Sequence, residues 1–306
     1  MLNYNSYRNY IRTRFGKPVL KIPINGGFKC PNRDGTKSEN GCHFCDNLSF
    51  SPAAFNSCSP VEQLKNAINR ASRFDLFIPY LQPYSNTYGS VSLLRSVYEP
   101  LLEIPKVVGL TIGTRPDCFT TEIFEYLDKL SARTFLSVEL GLQSSHDCTL
   151  TMINRHHTFA NFVNTVERLA NSGIETVAHV MLGLPGETAE MMAETAHRLS
   201  MLPVSGIKIH QMMVIENTRI HQWYEDKTYT PLTIEEYAKL LGDFLCRLRP
   251  DQHIHRIMAD SKPEYGLIAP LWSADKNISI NFLHEYFKKT SMVQGSCFRD
   301  RSQELG

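Results

Sequence analysis

Short apolar runs of strand length alternate with amphipathic helical segments along most of the chain, and this alternation points to a parallel sheet. Parallel strands cannot be joined by a tight turn; each pair needs a crossover, which a helix supplies. The runs fall at positions 19–24, 76–81, 107–112, 135–140, 176–182 and 206–210. Between them the helices announce their starts. Ser59-Pro60-Val61-Glu62 combines a capping hydroxyl, a proline at the first helical position and a glutamate placed to close a capping box. Thr120, Thr158 and Thr233 open further segments with apolar residues at helical spacing, and the one after Thr158 stops at Gly173. Periodicity leaves two architectures open, a doubly wound sheet and an incomplete parallel barrel, and both place function at the carboxyl ends of the strands.

Of the 306 residues 42% are hydrophobic, enough for a sizeable core, which excludes a disordered or fibrous chain. Lys plus Arg total 32 against 31 Asp plus Glu, so the molecule as a whole is no general polyanion binder, and any nucleic-acid contact has to be a local patch. There is no apolar stretch of membrane-spanning length, and the opening residues lack the apolar core of a secretory signal, so a cytoplasmic protein without a membrane partner is expected. In that compartment the eight cysteines are expected to be reduced, and clustered ones read first as metal ligands. Cys30, Cys42 and Cys45 are so clustered, in a glycine-rich loop that follows the first strand. Three thiolates at this spacing fit three corners of an iron–sulfur cube or three positions around zinc; Cys58 or His43 would complete a zinc site.

Further motifs carry a resemblance. Asn25-Gly26-Gly27-Phe28, Cys30-Pro31-Asn32-Arg33-Asp34-Gly35-Thr36, Gly41-Cys42-His43-Phe44-Cys45 and Ser49-Phe50 are followed by Gln82-Pro83-Tyr84-Ser85-Asn86-Thr87-Tyr88 and Gly113-Thr114-Arg115-Pro116-Asp117. Then come Val138-Glu139-Leu140-Gly141-Leu142-Gln143-Ser144, Gly183-Leu184-Pro185-Gly186-Glu187, Ala269-Pro270-Leu271-Trp272 and Gln294-Gly295-Ser296. Together and in this order they resemble the radical-SAM superfamily and, within it, the bacterial YhcC/YtqA group, relatives of the catalytic subunit of Elongator.

The resemblance implies an α/β fold, a partial (β/α)6 TIM-like barrel of the radical-SAM type. Residues 1–220 would form the core barrel, with a cluster loop at 26–50, and 221–306 a C-terminal extension packed on it. It implies a [4Fe-4S] cluster held by Cys30, Cys42 and Cys45, whose open iron binds S-adenosyl-L-methionine (SAM) and cleaves it to a 5'-deoxyadenosyl radical. It places Phe44 against the adenine, Glu139 at the end of the fourth strand on the ribose hydroxyls, and Gly183 in a turn close to the adenosine. Asn86 stands where many members hold the methionine amine with a Gly-Gly-Glu segment, and Arg155 is placed to reach a carboxylate. Arg155-His156-His157 departs from the group's Arg-Gly-His, which puts the backbone of that loop in question. Gln143 and Ser144 are read as support for the Glu139 loop, and Arg115, His179, Lys208 and His210 are substrate-side candidates.

Seven basic residues, from Arg8 to Arg33, precede the first acid, Asp34, with Tyr4, Tyr7, Tyr10 and Phe15 interleaved, a mixture that binds phosphates and stacks on bases. The kinship with Elongator implies tRNA as the partner and a wobble-uridine side chain as the target, and radical chemistry of this type needs an electron donor such as flavodoxin or ferredoxin. Two other readings stay open here. One is radical oxidation or decarboxylation of a small metabolite, as in coproporphyrinogen dehydrogenases; the other is a zinc-stabilised RNA-binding module.

Overall fold

The computed structural model describes residues 3–46, 49 and 52–299. Phe50 of the Ser49-Phe50 motif lies outside them. The chain runs α1 (Tyr7–Phe15), β1 (Val19–Ile24), α2 (Pro60–Arg70), β2 (Leu76–Leu81), α3 (Val91–Leu102), β3 (Gly109–Thr114), α4 (Thr121–Ser131) and β4 (Phe135–Gln143). It continues with α5 (Asp147–Met152), α6 (Phe159–Asn171), β5 (Glu175–Leu182), α7 (Ala189–Ser200), β6 (Gly206–Gln211), β7 (Val214–Ile215) and α8 (Arg219–Glu225). The last elements are α9 (Ile234–Arg247), β8 (His253–Arg256), β9 (Leu267–Ala269) and α10 (Lys276–Lys289). The helix starts follow the sequence signals: Ser59 and Thr233 close capping boxes with Glu62 and Glu236, and Thr158 closes one with Asn161.

Seven parallel strands form one sheet in the order β1-β2-β3-β4-β5-β6-β8. A doubly wound sheet reverses its order at a switch point, and this one does not. Lys21 on β1 has its Nζ 3.2 Å from Nδ1 of His255 on β8, so the two edges of the sheet face each other across a curled interior. This is the partial barrel.

Three expectations change. The barrel does not end with six strands near residue 220: β8, from the C-terminal part, pairs with β6 as a seventh strand, so that part builds the barrel as well as covering it. Four residues with alternating polar side chains carry too little apolar signal to be read as a strand. The third strand runs two residues later than its apolar run, because Val107 contributes an isolated bridge to Phe77.

The third change concerns the basic N-terminus. The Ile254 amide donates to Asn5 O (2.7 Å), and α1 then crosses the strands' amino ends. Tyr10 stacks on His253 (4.2 Å between ring centres), Arg14 lies over the Phe135 ring and pairs with Glu175 (3.4 Å), and Phe15 meets Phe135 edge-on. His253, Phe135 and Glu175 are the first residues of their strands. Arg8, Arg12 and Arg14 therefore lie at the opposite end of the barrel from the cysteine loop, about 20 Å away for a strand of six residues. Of the basic run, Lys29 and Arg33 stand at the mouth. Tyr7 and Tyr10 stack on His255 and His253, and the Tyr4 hydroxyl lies 3.2 Å from His284 Nε2, which corrects their reading as base-stacking residues.

Candidate active site at the barrel mouth

The loop after β1 is shaped by glycine. At Gly26 a side chain would meet Phe28, Asn86 Oδ1 and Leu81 at 2.9–3.0 Å, and Gly41 sits at φ +71°. The loop is stitched to the turn after α5: the His43 amide donates to Ile153 O (3.1 Å), while Asn154 Nδ2 donates to Gly41 O (2.7 Å). In that turn Asn154 and His156 adopt left-handed backbone at φ 59° and 55°. His156 thus keeps a conformation natural to the glycine it replaces, at a cost of order 1 kcal/mol. The reward is the placement of Arg155 between them.

Arg155 is buried. Its Nη1 lies 3.2 Å from Cys42 Sγ, Nε donates to His157 Nε2 (3.1 Å), and Nη2 donates to Gly141 O on β4. Asn32, also buried, donates to Cys42 Sγ (3.4 Å) and to Asn154 O (2.7 Å). Arg115 grips Asp117 with two bonds of 2.9 Å and donates to the carbonyl of Arg155; Lys37 pairs with the same Asp117. Against the effect of burial, Arg115 and Lys37 hold the Asp117 carboxyl down to about 2.

Cys30, Cys42, Cys45, Phe44, Glu139 and Arg155 line one cavity, together with Tyr80, Gln82, Arg115, Gly141, Gln143 and His179. Burial and the neighbouring Cys42 and Cys30 push the Cys45 thiol up to about 11, partly offset by Arg33. Among the described residues no three His, Cys, Asp or Glu side chains converge on one ion. Cys58 is exposed, and His43, which turns its ring to Met152 O (2.9 Å) and Trp223, is not part of this wall. Three thiols on one wall, with N–H donors aimed at a sulfur, suit an iron–sulfur cluster, whose sulfurs accept such bonds.

Three proposed SAM contacts stand differently from expectation. Asn86 is fully buried and spends its Nδ2 on the carbonyls of Leu81 (3.0 Å), Pro83 (3.0 Å) and Gly113 (2.8 Å), so it holds the strand ends rather than facing the cavity. Asn86→Ala leaves those buried carbonyls short of a donor and lowers stability by about 3 kcal/mol, measurable by urea denaturation. Gly183, at φ +82°, packs on Leu232, and its carbonyl accepts from the Tyr229 hydroxyl (2.8 Å), so the C-terminal part covers this turn. Glu139 lies mid-strand, because β4 continues to Gln143. It is wholly buried, with Lys21 at 2.5 Å on one oxygen and Lys208 (2.9 Å) and His179 (2.6 Å) on the other. Ser144, just past the end of β4, donates to Glu187 after β5.

Burial alone would raise the Glu139 pKa, but Lys208 and Lys21 with N–H donors from His179 and His255 hold it well below the carboxylate range. Burial lowers Lys208 to about 7 and His179 to about 4, and Glu139 offsets part of each shift. The sequence reading missed Tyr80, whose hydroxyl accepts from Lys208 (3.1 Å), and Lys21, His255 and Arg256. Tyr80 sits in an apolar run that reads as core, and the last two lie on the strand that periodicity did not reveal.

The model of the radical SAM superfamily matches residues 30–199, and that of the Radical_SAM C-terminal domain residues 204–289. The chain belongs to the radical-SAM superfamily. It is 35% identical to YtqA of Bacillus subtilis, over 98% of this chain and 94% of that protein. A tRNA uridine(34) acetyltransferase of Dehalococcoides mccartyi is 30% identical over 51% of this chain and 34% of its own length. The structure of the archaeal Methanocaldococcus infernus Elp3, deleted at its N-terminus, superposes with a TM-score of 0.70 at 17% identity, covering 90% of this chain and 64% of that one. The protein is a radical-SAM enzyme, and its cofactors are a [4Fe-4S] cluster and SAM. No described helix is long and apolar enough to cross a membrane.

Proposed function

We propose that this enzyme alters the side chain of a tRNA wobble uridine, in the cytoplasm, with an electron drawn from a flavodoxin or ferredoxin. The observation that carries the reading is the kinship of its radical-SAM half with enzymes named for uridine 34 of tRNA. In this reading Cys30, Cys42 and Cys45 hold the cluster, Phe44 lies against the adenine, and the Gly141–Gln143 end of β4 faces the ribose. When bound there, the cluster and SAM would supply the radical chemistry that acts on the substrate. Arg155 and Asn32 orient the Cys42 sulfur and donate to it. The enclosed wall of Tyr80, Gln82 and His179 limits water around the reacting atoms. A base in a folded tRNA has to be extruded to reach such a depth.

Lys29, at the mouth, is an exposed cation placed to meet the phosphates beside that base. Lys29→Glu weakens tRNA binding about tenfold at about 50 mM salt and flattens the salt dependence, whereas Arg8→Ala with Arg12→Ala changes affinity about twofold at most. Filter binding across a salt series checks both. Nucleoside analysis of tRNA from a deletion strain is expected to show a wobble uridine lacking part of its side chain. Unaltered nucleosides beside an accumulating small precursor would instead favour oxidation or decarboxylation of a metabolite.

A further inference from the structure

Deeper than the cysteines, the barrel interior carries more positive charge than its acid balances. Lys21 and Lys208 share Glu139. Arg256, on β8, has no carboxylate within ion-pair distance among the described residues. Its Nη2 lies 2.6 Å from Nε2 and 3.4 Å from Nδ1 of His210, and its Nε is buried without a partner. His210 lies behind His179, a residue of the cluster cavity, at 5.9 Å between ring centres, so Arg256 and His210 sit next to that cavity rather than among the residues that line it.

A guanidinium cannot shed its proton, and an uncompensated buried charge is expensive. Its fork matches the planar geometry of a carboxylate or phosphate. With Nε2 accepting from Arg256, the imidazole of His210 is neutral and carries its proton on Nδ1, a second donor. Lys208, two residues before His210 on β6, points into the same interior and adds an ammonium.

We propose that Arg256 and His210, backed by Lys208, form an oxyanion subsite that receives a carboxylate or phosphate group of the substrate. The inference rests on the reading that the substrate enters this barrel, and it holds whether or not that substrate is RNA. SAM also bears a carboxylate, so the test separates the two sources.

The reconstituted enzyme is titrated with inorganic phosphate and, separately, acetate, at ionic strength held constant with chloride, while its thermal midpoint is followed. The wild type is expected to show a saturable rise of several degrees that Arg256→Gln lacks and His210→Ala reduces. An equal rise in Arg256→Gln, or none in the wild type, overturns the subsite. Without anion, Arg256→Gln is expected to melt at or above the wild-type temperature, because it removes an unbalanced charge. Failure to fold, or a fall of several degrees, makes Arg256 structural and also overturns it. By equilibrium dialysis SAM binds Arg256→Gln within about twofold of wild type; a tenfold weakening assigns the carboxylate to SAM and ends the substrate assignment. None of these readouts involves tRNA, so the subsite and the RNA reading fail independently.

Discussion

Replacing Cys30, Cys42 and Cys45 together with Ala is expected to reduce dithionite-dependent formation of 5'-deoxyadenosine to background after anaerobic reconstitution, and bound iron and sulfide with it. The three thiols share one cavity wall, and each accounts for one corner of the cube. Their loop is held by backbone and Asn154 bonds independent of sulfur, so the far-ultraviolet circular dichroism of the variant should match wild type. Cys58→Ala, which changes an exposed thiol off that wall, should retain both the cluster and the product. Iron retained by the triple variant, or the loss of activity with Cys58, would contradict the ligand assignment.

The second large effect belongs to Glu139. Glu139→Gln leaves the buried Lys208 and the half-buried Lys21 beside a neutral amide, and losing one partner of a buried charge cluster costs about 3–5 kcal/mol. Chemical denaturation at neutral pH reads the loss directly. The pH dependence follows from the same residues. Because the folded pKa of Glu139 is depressed, its contribution is present above the ordinary carboxylate value and is lost as pH falls through the folded one. His179, lowered from 6.5 to about 4, resists a proton that the unfolded chain accepts, so stability rises with pH across that interval. Lys208, lowered from 10.5 to about 7, adds a second rise between those values. Urea midpoints from about pH 2 to 10 should climb through both windows, and Glu139→Gln should lose the further limb below the ordinary carboxylate value of 4.5 that the carboxylate supplies.

Glu139 also shows how far a linear reading reaches. An acid amid apolar residues on the fourth strand was recognisable as part of the site, but its partners come from β1, β5, β6 and β8, none adjacent in sequence. Asn86 and Gly183 were singled out from their motifs, yet backbone carbonyls claim one and Leu232 covers the other. Arg155 was legible as a candidate, whereas its contact with Cys42 depends on two left-handed residues that the letters Asn and His do not announce.

What the sequence determined by itself was local or periodic: six of the seven strands, the capped helices, and the three-cysteine loop with its glycines. These features are short in range, because strand and helix periods, caps and turns depend on residues within a few positions of one another. The tertiary structure alone decided the seventh strand, the burial of α1 under the far end of the barrel, and the excess of positive charge inside it. Those depend on which strand edges meet when the sheet curls, and on the cost of desolvating charges that come together only then.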